Sequence, residues 1–357
     1  MTIRYGIIGT GMMGCEHIRN LAAMDDVDIV AVADPNPEPR DWALRSCGDR
    51  FSPRVHEAYQ EILDADDVDA LVVASPNFTH IDVMRDIFNT DKHVMLEKPM
   101  CTTLADALEL HHAAESHRGL VWVGLEYRYM PTTSALLQHL PQIGEVKMCA
   151  IQEHRFPFLK KVGDWNRFNR NTGGTLVEKC CHFFDLMNLV IPANPVRTLA
   201  SGAQSVNHLD EEYDGEVPDI LDNAYVIVEY DNGARAMLDL CMFAEGSKYE
   251  QMIAVTGSSG KLETSVPGDE LFLSRRERNS GKSIPIVMDP SVRHEGFHHG
   301  SSFLEHRGFI DAIREGKPPA VTTRDGLMSV LVGIAAQQSI ETGQAVDITS
   351  LADSKSL

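Results

Sequence analysis

The sequence predicts an α/β protein: a parallel sheet covered by helices on both faces, followed by an α/β domain built on an open, mainly antiparallel sheet. Three observations predict it. Gly9-Thr-Gly-Met-Met-Gly14 joins a short apolar run to a helical pattern. From there to Glu126, short unbroken apolar runs alternate with helical patterns, as in sheets buried on both faces. Past Glu126 the segments lengthen, alternate and acquire hairpin signals such as Asp231-Asn232-Gly233.

Each element follows from its residues. Tyr5 to Ile8 read as a buried strand ending at Gly9. In the G-x-G-x-x-G spacing, Gly9 allows the tight bend and Gly11 lets the backbone approach a pyrophosphate. Gly14 lets the next helix pack close to the strand. That helix (Ile18, Leu21, Ala22) offers free N–H groups and the positive end of its dipole to phosphates. A second strand, Val27 to Ala33, ends in Asp34, about twenty residues beyond the glycines, where a ribose diol needs a carboxylate. Asp34 would also repel a 2′-phosphate, and no Arg or Lys follows before Arg40, so NAD is expected and NADP disfavoured.

A turn cluster at Pro35 to Pro39 leads to a helix through Trp42, Leu44 and Arg45, a strand at Arg54–His56 and a helix at Glu57–Leu63. Val68–Ala74 reads as a buried strand ending at Ser75-Pro76-Asn77, with a helix from Phe78 to Phe88. The strand His93–Leu96 ends at Glu97-Lys98-Pro99, and a helix at Leu104–His117 precedes the strand Leu120–Leu125. Ligands of such sheets bind beyond the carboxyl ends of the strands, where Gly9, Asp34, Ser75–Asn77 and Lys98 all fall. A dinucleotide-binding domain is therefore expected over residues 1–126, with a second α/β domain over 127–357. In the second domain, strands are expected at Gly144–Gln152, Val196–Val206, Leu221–Tyr230, Arg235–Phe243 and Gln251–Thr256. One long helix is expected at Thr175–Val190, and two more, Ser302–Glu315 and Arg324–Thr342, close the chain. Asp210–Asp219 reads as a solvated loop.

Bulk composition narrows the partners. A net charge of −20 argues against nucleic acid and anionic membranes, which demand clustered Lys and Arg. The seven cysteines (15, 47, 101, 149, 180, 181, 241) fit neither a disulfide framework nor zinc spacing. With no signal-like segment and no long apolar run, a cytoplasmic location is expected.

Together these motifs resemble the Gfo/Idh/MocA family of nicotinamide-dependent oxidoreductases, which act mainly on sugars, cyclitols and related polyols. The resemblance rests on Gly9 to Gly14, on Ser75-Pro-Asn-Phe-Thr-His80 and on Glu97-Lys98-Pro99. It also takes in Tyr127-Arg128-Tyr129-Met130-Pro131, and Gly173-Gly174 followed by Glu178, His182 and Asp185. It implies NAD held by Gly9, Gly11, Met12, Met13, Gly14, Asp34, Ser75, Pro76, Asn77, His80, Glu97 and Lys98. It further implies a Rossmann domain over residues 1–126 and a substrate-binding and oligomerisation domain over 127–357, whose open sheet forms a homodimer or homotetramer. The family usually carries Asp where this chain has Glu178, and small or apolar residues at Lys179 and Cys180.

Lys98 precedes Pro99, which biases it toward extended backbone, so its ammonium is held at a strand tip where it can stabilise an alkoxide. At 100° per residue, Glu178, His182 and Asp185 share one helix face. On periodicity alone that face meets water; the resemblance instead makes it catalytic, with His182 as base and Glu178 beside it. A Glu–His–Asp metal site lacks a fourth ligand. Tyr127, Arg128, Arg155, Trp165, Asn166 and Arg170 are candidates for a polyol pocket or for interdomain or subunit contacts. His294, His298 and His299 read as a polar loop. The expected activity is oxidation of a secondary hydroxyl of a sugar, sugar derivative or cyclitol. A glycosidase with transient sugar oxidation and a non-catalytic cofactor sensor are the alternatives.

Overall fold

The structure is a computed structural model and describes residues 2–276 and 280–351. The far end of the expected second domain, 352–357, lies outside the described residues. The chain opens with β1 (Ile3–Ile8), α1 (Met12–Ala22), β2 (Val27–Ala33), α2 (Pro37–Cys47), β3 (Arg54–His56) and α3 (Gln60–Leu63). It continues with β4 (Ala70–Val73), α4 (His80–Ile87), β5 (His93–Glu97), α5 (Leu104–Ser116) and β6 (Val121–Gly124). These six strands form one sheet in the order β3-β2-β1-β4-β5-β6, every pair parallel. The order reverses between β1 and β4, which is where such a sheet opens a crevice for a nucleotide. The apolar runs of β4 and β6 are buried throughout, which is why their sequences do not alternate.

Beyond lie α6 (Pro131–His139), β7 (Val146–His154), α7 (Asn169–Thr172), α8 (Thr175–Glu178), α9 (Cys181–Val190) and β8 (Pro195–Ala203). Then come β9 (Asn223–Tyr230), β10 (Arg235–Cys241), β11 (Gln251–Gly257), β12 (Gly260–Val266), β13 (Glu270–Arg275) and β14 (Ser280–Pro285). α10 (Ser301–Glu315), α11 (Thr323–Thr342) and β15 (Val346–Asp347) complete the order. The second sheet runs β14-β13-β12-β11-β7-β10-β9-β8-β15, antiparallel except for the parallel pair β7–β10.

Three expectations change. First, contacts gather Lys161–Trp165 and Pro290–Leu327 with Met1–Tyr129, so a single cut after Glu126 omits a helix from the first unit. α10 earns its place there because Phe309 packs against Tyr5 and Trp122, with ring centroids 6.4 and 6.1 Å apart. Second, β12 to β15 go beyond the five expected strands. β12 alternates buried and half-buried positions and β14 is almost wholly exposed, so neither carries a marked apolar run. Third, the helix expected over Thr175–Val190 is two helices. The Thr175 carbonyl accepts from both Lys179 N (3.0 Å) and Cys180 N (3.3 Å), which winds one extra residue into the turn. Its polar residues do not meet water either: Glu178, Lys179, His182 and Asp185 are all buried.

Candidate functional site

In the first unit the glycine turn is dictated by sterics. Gly9 has φ +84°, and a Cβ there would lie 2.5 Å from Ser75 N. A Cβ on Gly14 would lie 2.1 Å from the Gly9 carbonyl oxygen. Only glycine permits both approaches. Around Gly11 the same test meets no atom within 4 Å, and no side chain caps α1 there. An open approach to uncapped helical N–H groups, starting at Gly11, Met12 and Met13, suits a pyrophosphate.

Asp34 ends β2 and is nearly buried. Its Oδ2 accepts from Thr10 N (2.9 Å) and its Oδ1 from Asn36 N (2.9 Å), so the carboxylate is fixed against the glycine turn. Oδ1 also receives Asn36 Nδ2 at 3.4 Å, so Oδ2 is the oxygen with a second lone pair for a ribose hydroxyl. Arg40 folds back here, its Nη1 donating to the carbonyls of Asp34 (2.6 Å) and Pro35 (3.1 Å). Ser75 Oγ accepts from Thr79 Oγ1 (2.8 Å). Beyond Pro76, the amide Nδ2 of Asn77 and the hydroxyl of Thr10 are buried without a protein hydrogen-bond partner. Such orphaned groups fit a site that a ligand completes, and the residues present therefore suit a dinucleotide.

The Val73–Leu96 pair aligns β4 with β5, so Ser75 and Lys98 leave the sheet edge at the same level. The imidazole of His80 joins the two corners, its ring nitrogens 3.0 Å from Ser75 O and 2.9 Å from Pro99 O. Burial pushes this imidazole below the usual histidine range, and a neutral ring donates to one carbonyl only. The ring is fully buried, so His80 serves the two loops. Glu97 likewise turns inward: Oε1 lies 2.8 Å from His17 Nε2 and Oε2 accepts from Lys98 N at 3.1 Å. His17 Nδ1 in turn lies 2.9 Å from His306 Nε2.

Other candidates in this unit have protein partners. Arg128 pairs with Asp325 (3.0 Å) and donates to Ala320 O (3.2 Å), tying the chain after β6 to the start of α11. Tyr127 is buried with its ring 6.3 Å from that of His298. Trp165 meets Phe78 edge-on at 6.2 Å. In the histidine loop, His298 Nε2 lies 3.4 Å from Glu126 Oε1 and His294 Nε2 3.8 Å from Glu16 Oε1.

The second unit holds Arg155, Asn166, Arg170, Glu178 and His182. Lys179, one of the three departures from the family pattern, has a clear local role: its Nζ lies 3.0 Å from Oε1 of Glu153, a fully buried carboxylate on β7. Arg155 Nη1 reaches the same oxygen at 3.5 Å and stacks over Phe156 at 4.2 Å. Asn166 donates to Leu159 O at 3.0 Å, and Arg170 is exposed and paired with Glu216. Sequence reasoning missed His17, Glu153, Glu305 and His306. Only His17 carried a signal, three residues after Gly14 on the helix that opens the site.

Fold and site define a two-unit oxidoreductase with a nicotinamide-dinucleotide-binding Rossmann sheet. Residues 3–125 match the oxidoreductase family's NAD-binding Rossmann fold and residues 140–348 its C-terminal alpha/beta domain. The chain belongs to the Gfo/Idh/MocA oxidoreductase family. It is 27% identical to myo-inositol 2-dehydrogenase of Thermotoga maritima over 97% of this chain and 98% of that one. With the NAD(+)-dependent scyllo-inositol 2-dehydrogenase of Bacillus subtilis it shares 24% identity over 97% and 96%. Among solved structures, levoglucosan dehydrogenase in complex with NADH superposes with a TM-score of 0.84 at 20% identity, covering 98% and 99% of the two chains. An oxidoreductase domain protein from Kribbella flavida gives 0.85 at 21%, covering 97% and 99%.

Proposed function

We propose that the protein oxidises a secondary hydroxyl of a cyclitol, sugar or sugar derivative to a ketone. The observation that carries this reading is Lys98, held at the end of β5 level with Ser75 at the nucleotide edge of the sheet. The inositol dehydrogenases among the relatives support the substrate class. Bound NAD supplies the hydride acceptor. The rest falls to the chain. The Lys98 ammonium hydrogen-bonds the reacting oxygen and stabilises its developing negative charge. His182 takes the hydroxyl proton, a task suited to imidazole near neutral pH, and Glu178 supports the imidazolium. Asp34 receives the ribose hydroxyls, and Tyr127, Arg155 and Trp165 contact substrate.

NADH formation against a panel of inositols, aldoses, uronic acids and glycosides tests the reading. Accumulating NADH with a cyclitol or sugar is the expected result. Glycoside cleavage without net NADH turns the assignment to a glycosidase. Lys98→Ala and His182→Asn should each lower kcat/KM by about 10²–10⁴ while NADH binding stays within a few-fold. Unchanged turnover in either removes that residue from the mechanism.

The same reading includes self-association. Leu199, Ile227 and Met237 lie side by side across β8, β9 and β10, all exposed, with Tyr225 beside them 63% exposed. A contiguous apolar row of this kind suits a second copy of the sheet. Ile227→Glu with Met237→Lys should reduce the mass seen by light scattering without changing the circular dichroism. An unchanged mass places the contact elsewhere.

A further inference from the structure

Buried behind the Lys98 corner is a chain of polar groups that the proposed mechanism does not use. His306 on α10 faces His17 on α1 at 2.9 Å, and the rings meet edge-on with centroids 5.0 Å apart. His17 Nε2 meets Glu97 Oε1 at 2.8 Å, and Glu97 Oε2 accepts the Lys98 N–H at 3.1 Å. A carboxylate accepts only, so His17 Nε2 carries the proton and donates. All four residues belong to the first unit, and His17, Glu97 and His306 are buried. An arrangement that spends two imidazoles and a carboxylate out of water on one backbone N–H is costly unless that N–H must stay where it is.

We infer that His17, backed by His306, is a positioning residue that holds the Glu97 carboxylate against the Lys98 N–H and so fixes the corner from which Lys98 acts. The inference rests on the catalytic reading of Lys98. Charged and titratable groups converge on Glu97 from several elements: His17 from α1, Lys98 beside it, His80 from α4, and His298 ahead of α10. Glu305, on α10 beside His306, senses both Glu97 and Glu126. Burial alone would raise the Glu97 carboxyl, but the hydrogen bond and charge of His17, with Lys98 and His298, hold it below the usual glutamate range. Burial keeps His306 neutral, so it serves as a fixed backstop. Without the hydrogen bond and charge of His17, burial weighs more heavily and shifts the Glu97 carboxyl upward, toward its protonated form.

The test compares His17→Leu, His17→Gln, Glu97→Gln, His17→Leu/Glu97→Gln and Lys98→Ala. His17→Leu should lower kcat by up to about 10²-fold, the cost of a small misplacement, with KM values within about threefold. Its kcat–pH profile should carry a second ionisation, that of Glu97, beyond the limb that His182 gives the parent, and the His17→Leu/Glu97→Gln variant should lose it. His17→Gln keeps an N–H donor and should recover most of the loss. In the Glu97→Gln background, His17→Leu should cost nothing further. A cofactor-free readout accompanies these: difference infrared spectra should show a protonated-carboxyl band in His17→Leu that disappears in the double variant. Parent-like kcat and pH profile in folded His17→Leu, additive losses, or no carboxyl band overturns the proposal. Should His17→Leu not fold, Glu97→Gln decides. Lower kcat at constant KM then supports the proposal, and unchanged kcat overturns it. If Lys98→Ala turns over normally, the catalytic reading of Lys98 fails, while the infrared result still reports whether His17 governs Glu97.

Discussion

At the scale of single residues, Lys179 shows how a departure from a family pattern acquires a reason. Its ammonium is the close partner of Glu153, whose side chain is fully buried on β7. Removing one partner of a buried pair leaves an uncompensated charge, which typically costs about 3–5 kcal/mol. Arg155 remains 3.5 Å from the same carboxylate, so Lys179→Met should cost about 3 kcal/mol by urea denaturation, at the low end of that range. Lys179→Met with Glu153→Gln should recover most of it, and an additive loss would show that the pair is not coupled. The sequence marks Lys179 as unusual but cannot supply Glu153, which lies 26 residues earlier and meets it only through the fold. The same holds for His17 and His306, 289 residues apart. Asp34 differs because its partners, Thr10 and Asn36, come with the local strand-turn-helix geometry.

At the scale of elements, the β1–α1 turn is legible because its constraint is local. Gly14→Ala would place a methyl 2.1 Å from the Gly9 carbonyl, a backbone atom that cannot swing aside. The substitution should cost about 1–3 kcal/mol in stability and abolish NADH binding measured by fluorescence titration. Retained binding would show that the turn can open without loss of its phosphate cradle. The α8–α9 segment is legible only in part. Ideal periodicity places Glu178, His182 and Asp185 on one face, and the extra residue wound in at Cys180 breaks that regular progression. Water was the periodicity's default partner for the polar face, yet the surrounding protein buries it. β12 escaped notice for a related reason: a strand with one polar face looks like a loop until its neighbours pair with it.

At the scale of the whole molecule, buried titratable groups set the response to acid. Burial lowers the pKa of His80, His93, His111 and His306. His93 must stay neutral to accept Leu120 N–H on its Nδ1 at 2.9 Å. The unfolded chain protonates these imidazoles near pH 6.5 while the folded chain does so only at lower pH, so their contribution is full above that value and is lost as pH falls from there through the folded pKa values. Glu305 opposes this: burial and the nearby Glu126 raise its carboxyl, so the folded state holds that proton when the unfolded chain has released it. Four histidines outweigh one carboxyl. Thermal stability should therefore drop between pH 7 and 5, and a flat or rising Tm over that interval would contradict the assignment of neutral buried rings.

By itself the sequence determined the nucleotide-binding half: unbroken apolar strands, three glycines whose spacing obeys backbone sterics, and an acid at the end of β2 are all short-range patterns. It also signalled the change to an alternating, hairpin-rich sheet. The tertiary structure decided what depends on residues far apart in the chain. It assigned α10 to the first sheet, put Lys179 on Glu153, turned Glu97 toward His17 and buried the polar residues of α9. Periodicity records which side of an element differs from the other, but the partner that side meets is fixed only when distant segments pack together.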